Sequence, residues 1–337
     1  MKAVTYSSRG DSDVLTLVER DESHARAGEV RVRIRVSAVN PTDWKARRAG
    51  GPLDRPQVPN QDGAGVVDEV GTGVDDLAVG DRVWVWDAAD GRPDGTAQEL
   101  VVLPRRQVVA LPDDVSFDVG ASLGIPALTA HLALAASVHG PAELAPGSLT
   151  GRTVLVAGGA GAVGHAAIQL GVWAGAMVIA TVSSDEKAAL ARAAGAHHVV
   201  HYTAPDAADR IKALAPHGID IVAEVNVAVN AALDAQVTAS NAVISSYADA
   251  PGATEVSLPI RPSMGKNLRW QFLLTYTTTP EQKDAAVRAV AAAAAAGALG
   301  VGEEHGLPLT RYALADTAEA HDAVENGFVG KVLIDLA

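Results

Sequence analysis

The chain of 337 residues contains no cysteine. That absence removes disulfides, iron–sulfur ligation, thiolate nucleophiles and every zinc site that needs sulfur. The ten histidines are scattered, with no His-Glu-x-x-His helix. Their one adjacent pair, His197-His198, stands where a strand is about to begin and would point to opposite faces. No metal site is expected. Basic residues are also scarce, 27 Lys plus Arg against 40 Asp plus Glu, for a net charge of −13. Such a chain has no electrostatic footprint for phosphate backbones or anionic lipid, so neither nucleic acid nor membrane is expected as a partner. No apolar run of about 18 residues stands out, and the start MKAVTYSSRG reads as strand and turn rather than export signal, so a cytoplasmic location is expected. What remains, at 48% hydrophobic and 20% charged, has the composition of an ordinary globular protein. The length suggests about two domains.

Short β-branched runs broken by Gly, Pro and Asp fill the first 126 residues, for example 30–39, 65–70, 82–86 and 107–111, and predict a barrel-like β domain. The stretches 50–56 and 87–95 read as loops. Beyond Pro126 the period changes. A helical segment over 128–137 leads to a strand at 153–157, a long helix, a strand at 177–181, a helix over 185–194, a strand at 198–201, a helix over 205–213, and strands at 220–224 and 242–246. That alternation predicts a doubly wound parallel sheet. An apolar segment at 268–274, a helix over 280–296 and a β-rich tail ending at 331–336 complete the chain. The alanine run 291–296 needs no function, because alanine is the best helix former. The expected organisation is a β domain from 1–126 and 275–337 with an α/β domain from 127–274 inserted in it.

Directly after the strand at 153–157 comes Gly158-Gly159-Ala160-Gly161-Ala162-Val163-Gly164, a Gly-x-Gly-x-x-Gly at Gly159, Gly161 and Gly164 that opens a helix. In that context the first glycine permits the tight turn and the second lets backbone approach a pyrophosphate. The third packs helix on strand, and the helix N-terminus supplies free N–H groups. At the end of the second strand, where an acid would accept from a ribose hydroxyl, the chain reads Thr181-Val182-Ser183-Ser184-Asp185-Glu186-Lys187. Ser183, Ser184 and Lys187 suit a 2′-phosphate, hence NADPH. Against that, Ser184 also reads as a helix N-cap and Lys187 as a solvated face, and Asp185 or Glu186 could still reach the ribose.

Taken in order, Met1-Lys2-Ala3-Val4, Gly28-Glu29-Val30-Arg31-Val32, Val39-Asn40-Pro41-Thr42-Asp43, Asp62-Gly63-Ala64-Gly65-Val66-Val67, Val79-Gly80-Asp81-Arg82-Val83, Gly124-Ile125-Pro126-Ala127-Leu128-Thr129-Ala130, the glycine turn, Gly218-Ile219-Asp220-Ile221-Val222 and Gly330-Lys331-Val332-Leu333 cover nearly the whole chain. In these pieces it resembles the zinc-free quinone oxidoreductases, similar to zeta-crystallin, of the medium-chain dehydrogenase/reductase superfamily. The resemblance implies a GroES-like β-barrel domain plus a Rossmann domain, and NADPH-dependent hydride transfer to a quinone or other conjugated carbonyl. Pro59-Asn60-Gln61-Asp62 stands where zinc-dependent relatives carry Gly-His-Glu, which argues against zinc.

The resemblance also implies roles. Lys187 and Tyr202 match positions that hold the 2′-phosphate, and Phe272-Leu273-Leu274 a backbone segment that meets the nicotinamide carboxamide. Lys331 looks like the cofactor-side lysine, and Gly159, Gly161, Ala162, Val163, Gly164, Asn226 and Tyr247 complete the cofactor set. Asn40 and Thr129 match positions lining nicotinamide and substrate, and Gln61 is grouped with them. Asn40 is expected to donate to the developing oxyanion. Lys45 would supply charge or a proton, and Trp44 an apolar wall. Lys45 also reads as a surface residue beside Arg47 and Arg48, Trp44 as core packing, and Asp62 as a residue fixing the turn before Gly63. Asn-Pro-x-Asp-Trp-Lys is closer to members that reduce enones, and Gln271 replaces a glycine of close relatives. An enone or enoyl double-bond reductase of secondary metabolism is therefore an alternative, and a non-catalytic nucleotide-binding structural or regulatory protein is one of another class. A homodimer through the segment 268–274 is expected from the resemblance.

Overall fold

The computed structural model describes residues 1–137, 140–248 and 254–336. In chain order its strands and helices are β1 (Lys2–Thr5), β2 (Thr16–Glu19), β3 (Glu29–Val39), α1 (Pro41–Arg48), β4 (Asp62–Val70), β5 (Arg82–Val85), β6 (Leu100–Pro104), β7 (Val108–Ala110) and α2 (Phe117–Leu134). Then come β8 (Thr153–Ala157), α3 (Ala162–Trp173), β9 (Met177–Val182), α4 (Asp185–Ala193), β10 (His198–His201), α5 (Ala207–Leu214), β11 (Ile219–Glu224), α6 (Val227–Val237) and β12 (Thr238–Ser246). The chain continues with α7 (Ile260–Lys266), β13 (Arg269–Phe272), α8 (Pro280–Ala295), β14 (Leu309–Ala313), α9 (Thr317–Glu325) and β15 (Lys331–Asp335). They form two compact units, Met1–Ile125 with Pro308–Ala337, and Pro126–Leu307.

The first unit is built on a sheet of order β14-β15-β3-β4-β5-β7, with β6 also paired to β3. The alternation of β3 explains its central place. Val30, Val32, Ile34 and Val36 face the core, while Arg31 and Arg33 grip Asp68 of β4 at 2.6 and 2.7 Å. The sheet continues into β15 through the 36–39 end of β3. This pairing joins the two ends of the chain, as the shared β character of both segments predicts.

The second unit carries a parallel sheet of order β10-β9-β8-β11-β12-β13. Numbered within the sheet this is the dinucleotide-binding order, with the crossover reversing between β8 and β11, where such sheets take their ligand. The domain boundary differs from the expected one. Helix α8 and the segment up to Leu307 belong to the α/β unit, not to the β unit. The buried face of α8, Ala285, Ala286, Ala289, Val290, Ala293 and Ala294, needs a partner surface, and the turn after it is tied to α3. There Gln169 donates to the Gly300 carbonyl and accepts from its N–H, both at 3.2 Å, and His165 Nε2 lies 2.8 Å from the His305 carbonyl.

Helix α2 starts eleven residues earlier than expected and runs through Pro126. Its 18 residues have a mean hydropathy of 1.3, which corrects the expectation that no run of this length is so apolar. Of that stretch, 78% is buried in the molecule, so packing accounts for the apolarity. Proline removes a helical donor and crowds the preceding turn. Here the Ile125 N–H turns out of the helical ladder to Asp62 Oδ2 at 2.8 Å.

Candidate active site

In the α/β unit, the turn after β8 is shaped as its glycines require. A Cβ on Gly164 would lie 2.3 Å from the Gly158 carbonyl, and one on Gly159 would lie 2.8 Å from Ala180 Cβ. On Gly161 a Cβ would meet nothing closer than 3.5 Å. The first and third glycines are thus demanded by packing. The second is demanded by nothing in the chain itself, which leaves room for a ligand to approach the backbone of Gly161, Ala162 and Val163 at the start of α3. A dinucleotide fits this cradle.

At the tip of β9, Ser183 is exposed and Lys187 Nζ lies 3.2 Å from its Oγ. Ser184 is the N-cap of α4, its Oγ accepting from the Lys187 N–H at 3.3 Å. The capping role read from the sequence is realised. Tyr202 is exposed, and its N–H donates to Val182 O at 3.2 Å, which brings it to the same tip. Just past β11 and β12, Asn226 and Tyr247 are half-buried. The Asn226 N–H donates to Glu224 Oε1 and its Oδ1 is buried without a donor, while the Tyr247 N–H donates to Glu224 O at 3.1 Å. Leu273 gives its N–H to Ser246 O at 2.8 Å, leaving Phe272 and Leu274 exposed at 62% and 55%. Thr129 is buried on α2.

In the β unit the structure assembles a polar cluster that sequence reading missed. Asn40, the residue before α1, accepts from Lys331 Nζ through Oδ1 at 2.6 Å and donates through Nδ2 to Asp62 Oδ2 at 2.8 Å. Its backbone N–H donates to Asp43 Oδ2 at 2.7 Å. All four residues are buried. Burial pushes the Asp43 carboxyl up to about 8, with the Asn40 N–H opposing and Asp62 adding to the rise. Burial also pushes Asp62 up to about 6 against the pull of Lys331 and the two N–H donors. Lys331 is held below its ordinary value, first by burial, with Asp62 and Asp43 opposing.

Lys331, the lysine that the resemblance places on the cofactor side, is buried in this cluster. Only 2% exposed, it bonds Asn40 Oδ1 and, at 3.3 Å, Val39 O, and acts as the internal cation of this cluster. Asn40 has its oxygen and one of its two Nδ2 hydrogens committed inside the same cluster, which fixes the start of α1. Gln61 is pinned by the Ala89 N–H at 2.9 Å. Trp44 is half-buried, Lys45 is exposed with its Nζ 6.0 Å from the indole centroid, and Arg47 is not a surface residue. Its guanidinium is fully buried and donates to Gly10 O at 2.6 Å and Glu325 Oε2 at 2.8 Å. The Asn40-x-x-Asp43 spacing of a helix cap was the one local signal of this network. A zinc ion does not fit. Lys331 already supplies the cation beside Asp62, His321 Nε2 is spent on Asn60 Oδ1 at 2.9 Å, and no metal-sized group of His and carboxylates occurs among the described residues.

Residues 26–113 match the alcohol dehydrogenase GroES-like domain, and residues 162–298 match the zinc-binding dehydrogenase family. The chain carries both domains of the medium-chain dehydrogenase/reductase superfamily. Among its superfamily relatives, the quinone oxidoreductase of Lama guanicoe is 28% identical over 346 residues, covering 99% of this chain and 97% of that protein. The synaptic vesicle membrane protein VAT-1 homolog of Rattus norvegicus is 34% identical over 199 residues, 58% of this chain, and that match spans about half of the relative, 46%. Among solved structures, an NAD-dependent alcohol dehydrogenase superposes with a TM-score of 0.84 at 26% identity. A mycobacterial protein complexed with NADPH gives 0.80 at 28%, and each comparison covers 100% of both chains.

Proposed function

We propose that this superfamily member is an NAD(P)-dependent oxidoreductase, and specifically an NADPH-dependent, zinc-independent enzyme that reduces a quinone or another conjugated carbonyl. The observation that carries the cofactor reading is the tip of β9. There Ser183, Lys187 and Tyr202 gather beside the glycine turn, and the strand tip itself holds no acid. A solved relative holding NADPH supports it.

When bound, the reduced nicotinamide supplies a hydride to an electrophilic carbon, and the acceptor's oxygen takes up the charge. Everything else falls to the chain. The N–H groups of Ala162 and Val163 hold the pyrophosphate, while the Gly161 N–H closes the turn on the Gly158 carbonyl at 3.0 Å. Ser183 and Lys187 bind the 2′-phosphate through charge-assisted hydrogen bonds, with Tyr202 beside them. Asn226, Tyr247 and the 272–274 backbone hold the remainder of the cofactor. On the β unit we assign Trp44 and Gln61 to the acceptor and Lys45 as the cation that meets the developing charge or relays a proton, and on the α/β unit we assign Thr129 to the nicotinamide. Lys331, Asp62, Asp43 and Asn40 fix the start of α1 on which Trp44 and Lys45 ride. The Trp44-Lys45 pair favours carbon–carbon double-bond reduction of enones as the second reading. The edge of β13, unpaired among the described residues and with exposed Phe272 and Leu274 beside it, supports a homodimer.

The test follows NADPH and NADH consumption against a panel of quinones, simple enones and enoyl thioesters, before and after exhaustive dialysis against a chelator. NADPH turnover with at least one acceptor, unchanged by the chelator, is the expected result. No turnover with any acceptor, or loss of activity on chelation, overturns the reading.

A further inference from the structure

Besides the residues already assigned, the α/β unit buries two acids to which no basic side chain is bonded among the described residues. Glu224 ends β11 at 0% exposure, and Asp234 lies on α6 at 1%. The two carboxyls are within hydrogen-bonding reach of each other. Glu224 Oε1 accepts from the Asn226 N–H and from Asn230 Nδ2, the latter at 3.0 Å, while Glu224 Oε2 and Asp234 Oδ2 are buried with no donor. Two carboxylates so placed cannot both be ionised, and one proton between them satisfies both bare oxygens at once. The proton belongs on Asp234, because Glu224 has two N–H donors that favour its charged form. Burial and the Glu224 charge hold the Asp234 carboxyl well above the usual range, and burial raises Glu224.

Location gives the pair its use. Glu224 is bonded to the Asn226 N–H of the β11–α6 turn through its side chain and to the Tyr247 N–H through its carbonyl. Asn226 and Tyr247 are the residues assigned above to the cofactor. We propose that Glu224 and Asp234 are positioning residues that share one proton, and that this proton locks the Val225–Asn226 turn in the conformation that receives the dinucleotide. The proposal rests on the nucleotide reading of the site. When the proton leaves at alkaline pH, two adjacent buried charges repel, the turn shifts and cofactor affinity drops. The groups facing the pair are Asn226, the residue before α6, Asn230 on α6 and Tyr247 just past β12. Of these only Tyr247 titrates, and burial and Glu224 raise its phenol further. Lys266 of α7 is turned to the carbonyls of Ala235, Gln236 and Thr238 at the end of α6.

The experiment is an NADPH dissociation constant measured by fluorescence at pH 7 and pH 9.5 for the wild-type chain, Asp234→Asn and Glu224→Ala. In Asp234→Asn a permanent amide donor replaces the shared proton. The wild-type affinity is expected to weaken roughly three- to tenfold over that interval, within the tenfold per pH unit that one linked proton allows. Asp234→Asn should stay within twofold of its pH 7 value, and Glu224→Ala should bind weakly at both. A flat wild-type profile, or a wild-type slope retained in Asp234→Asn, overturns the proposal, and the second result stands even if Glu224→Ala does not fold. Failure of the nucleotide reading looks different, since the wild-type chain then binds no NADPH at either pH, and the positioning role falls with it.

Discussion

The sharpest contrast at the scale of single residues is between two lysines. Lys187 lies at the strand tip beside Ser183, whereas Lys331 is sealed inside the β unit. Replacing Lys187 with Ala should raise the KM for NADPH roughly ten- to a hundredfold, the worth of one charge-assisted phosphate contact, and leave that for NADH unchanged. Steady-state kinetics with both cofactors decide it, and an equal effect on the two removes the 2′-phosphate assignment. Replacing Lys331 with Met should do the reverse. It strips the cation from a site that keeps Asp62 and Asp43, so the loss belongs to stability, about 3–5 kcal/mol for one member of a buried charge cluster. Urea unfolding measures that loss, and a KM for NADPH near the wild-type value in whatever folded protein remains confirms that Lys331 does not serve the cofactor.

Elements show where sequence reasoning reaches and where it stops. The β8–α3–β9 unit was legible because its information is local: a β-branched run, a glycine turn whose spacing is fixed by packing, and a helix. The continuation of α2 through Pro126 was not, since the Ile125 N–H finds its acceptor on Asp62, sixty-three residues away in the chain. The allegiance of α8 was equally hidden. Its alanine-rich sequence states that it is a helix with a small-residue face but not which unit that face meets. Of the candidate site, the cofactor half could be read from consecutive residues. The buried cluster of Asn40, Asp43, Asp62 and Lys331 could not, because only the closed sheet brings β15 against the end of β3. One consequence concerns Gly124. A Cβ there would lie 2.0 Å from Asp62 Oδ1, so Gly124→Ala must push Asp62 out of contact with α2 and free the Ile125 N–H. A loss of about 2–4 kcal/mol is expected from overpacking plus a broken charged hydrogen bond. Denaturant unfolding of that variant beside Gly161→Ala, whose added methyl makes only an ordinary contact with the Gly158 carbonyl at 3.5 Å, checks it, the second variant staying within about 1 kcal/mol of wild type.

For the molecule as a whole, the buried titratable groups make stability depend on pH in a way that surface charge would not. His131 and His165, pushed down by burial to about 4, and His321, pushed down to about 3, are neutral when folded. Unfolded, each takes up a proton as pH falls through about 6.5, so their contribution is complete above that value and is lost below it. The raised carboxyls have the opposite sign. Asp43, with a folded value of about 8, stabilises most below the unfolded carboxyl range near 4, and that contribution is lost as pH rises through 8. Asp62 behaves likewise, but its loss is complete near 6, and Asp234 adds to the same alkaline side. Between about pH 6.5 and 8 the histidines no longer contribute a slope, so stability should fall as the pH is raised, by up to about 1.4 kcal/mol per pH unit for each carboxyl still protonated in the folded chain, and the melting temperature should fall with it. Asp43→Asn keeps an oxygen to accept the Asn40 N–H but has nothing to ionise. Scanning calorimetry of the two proteins across this interval should show a distinctly shallower decline in the variant, and parallel curves would mean that Asp43 is already ionised in the folded chain at neutral pH.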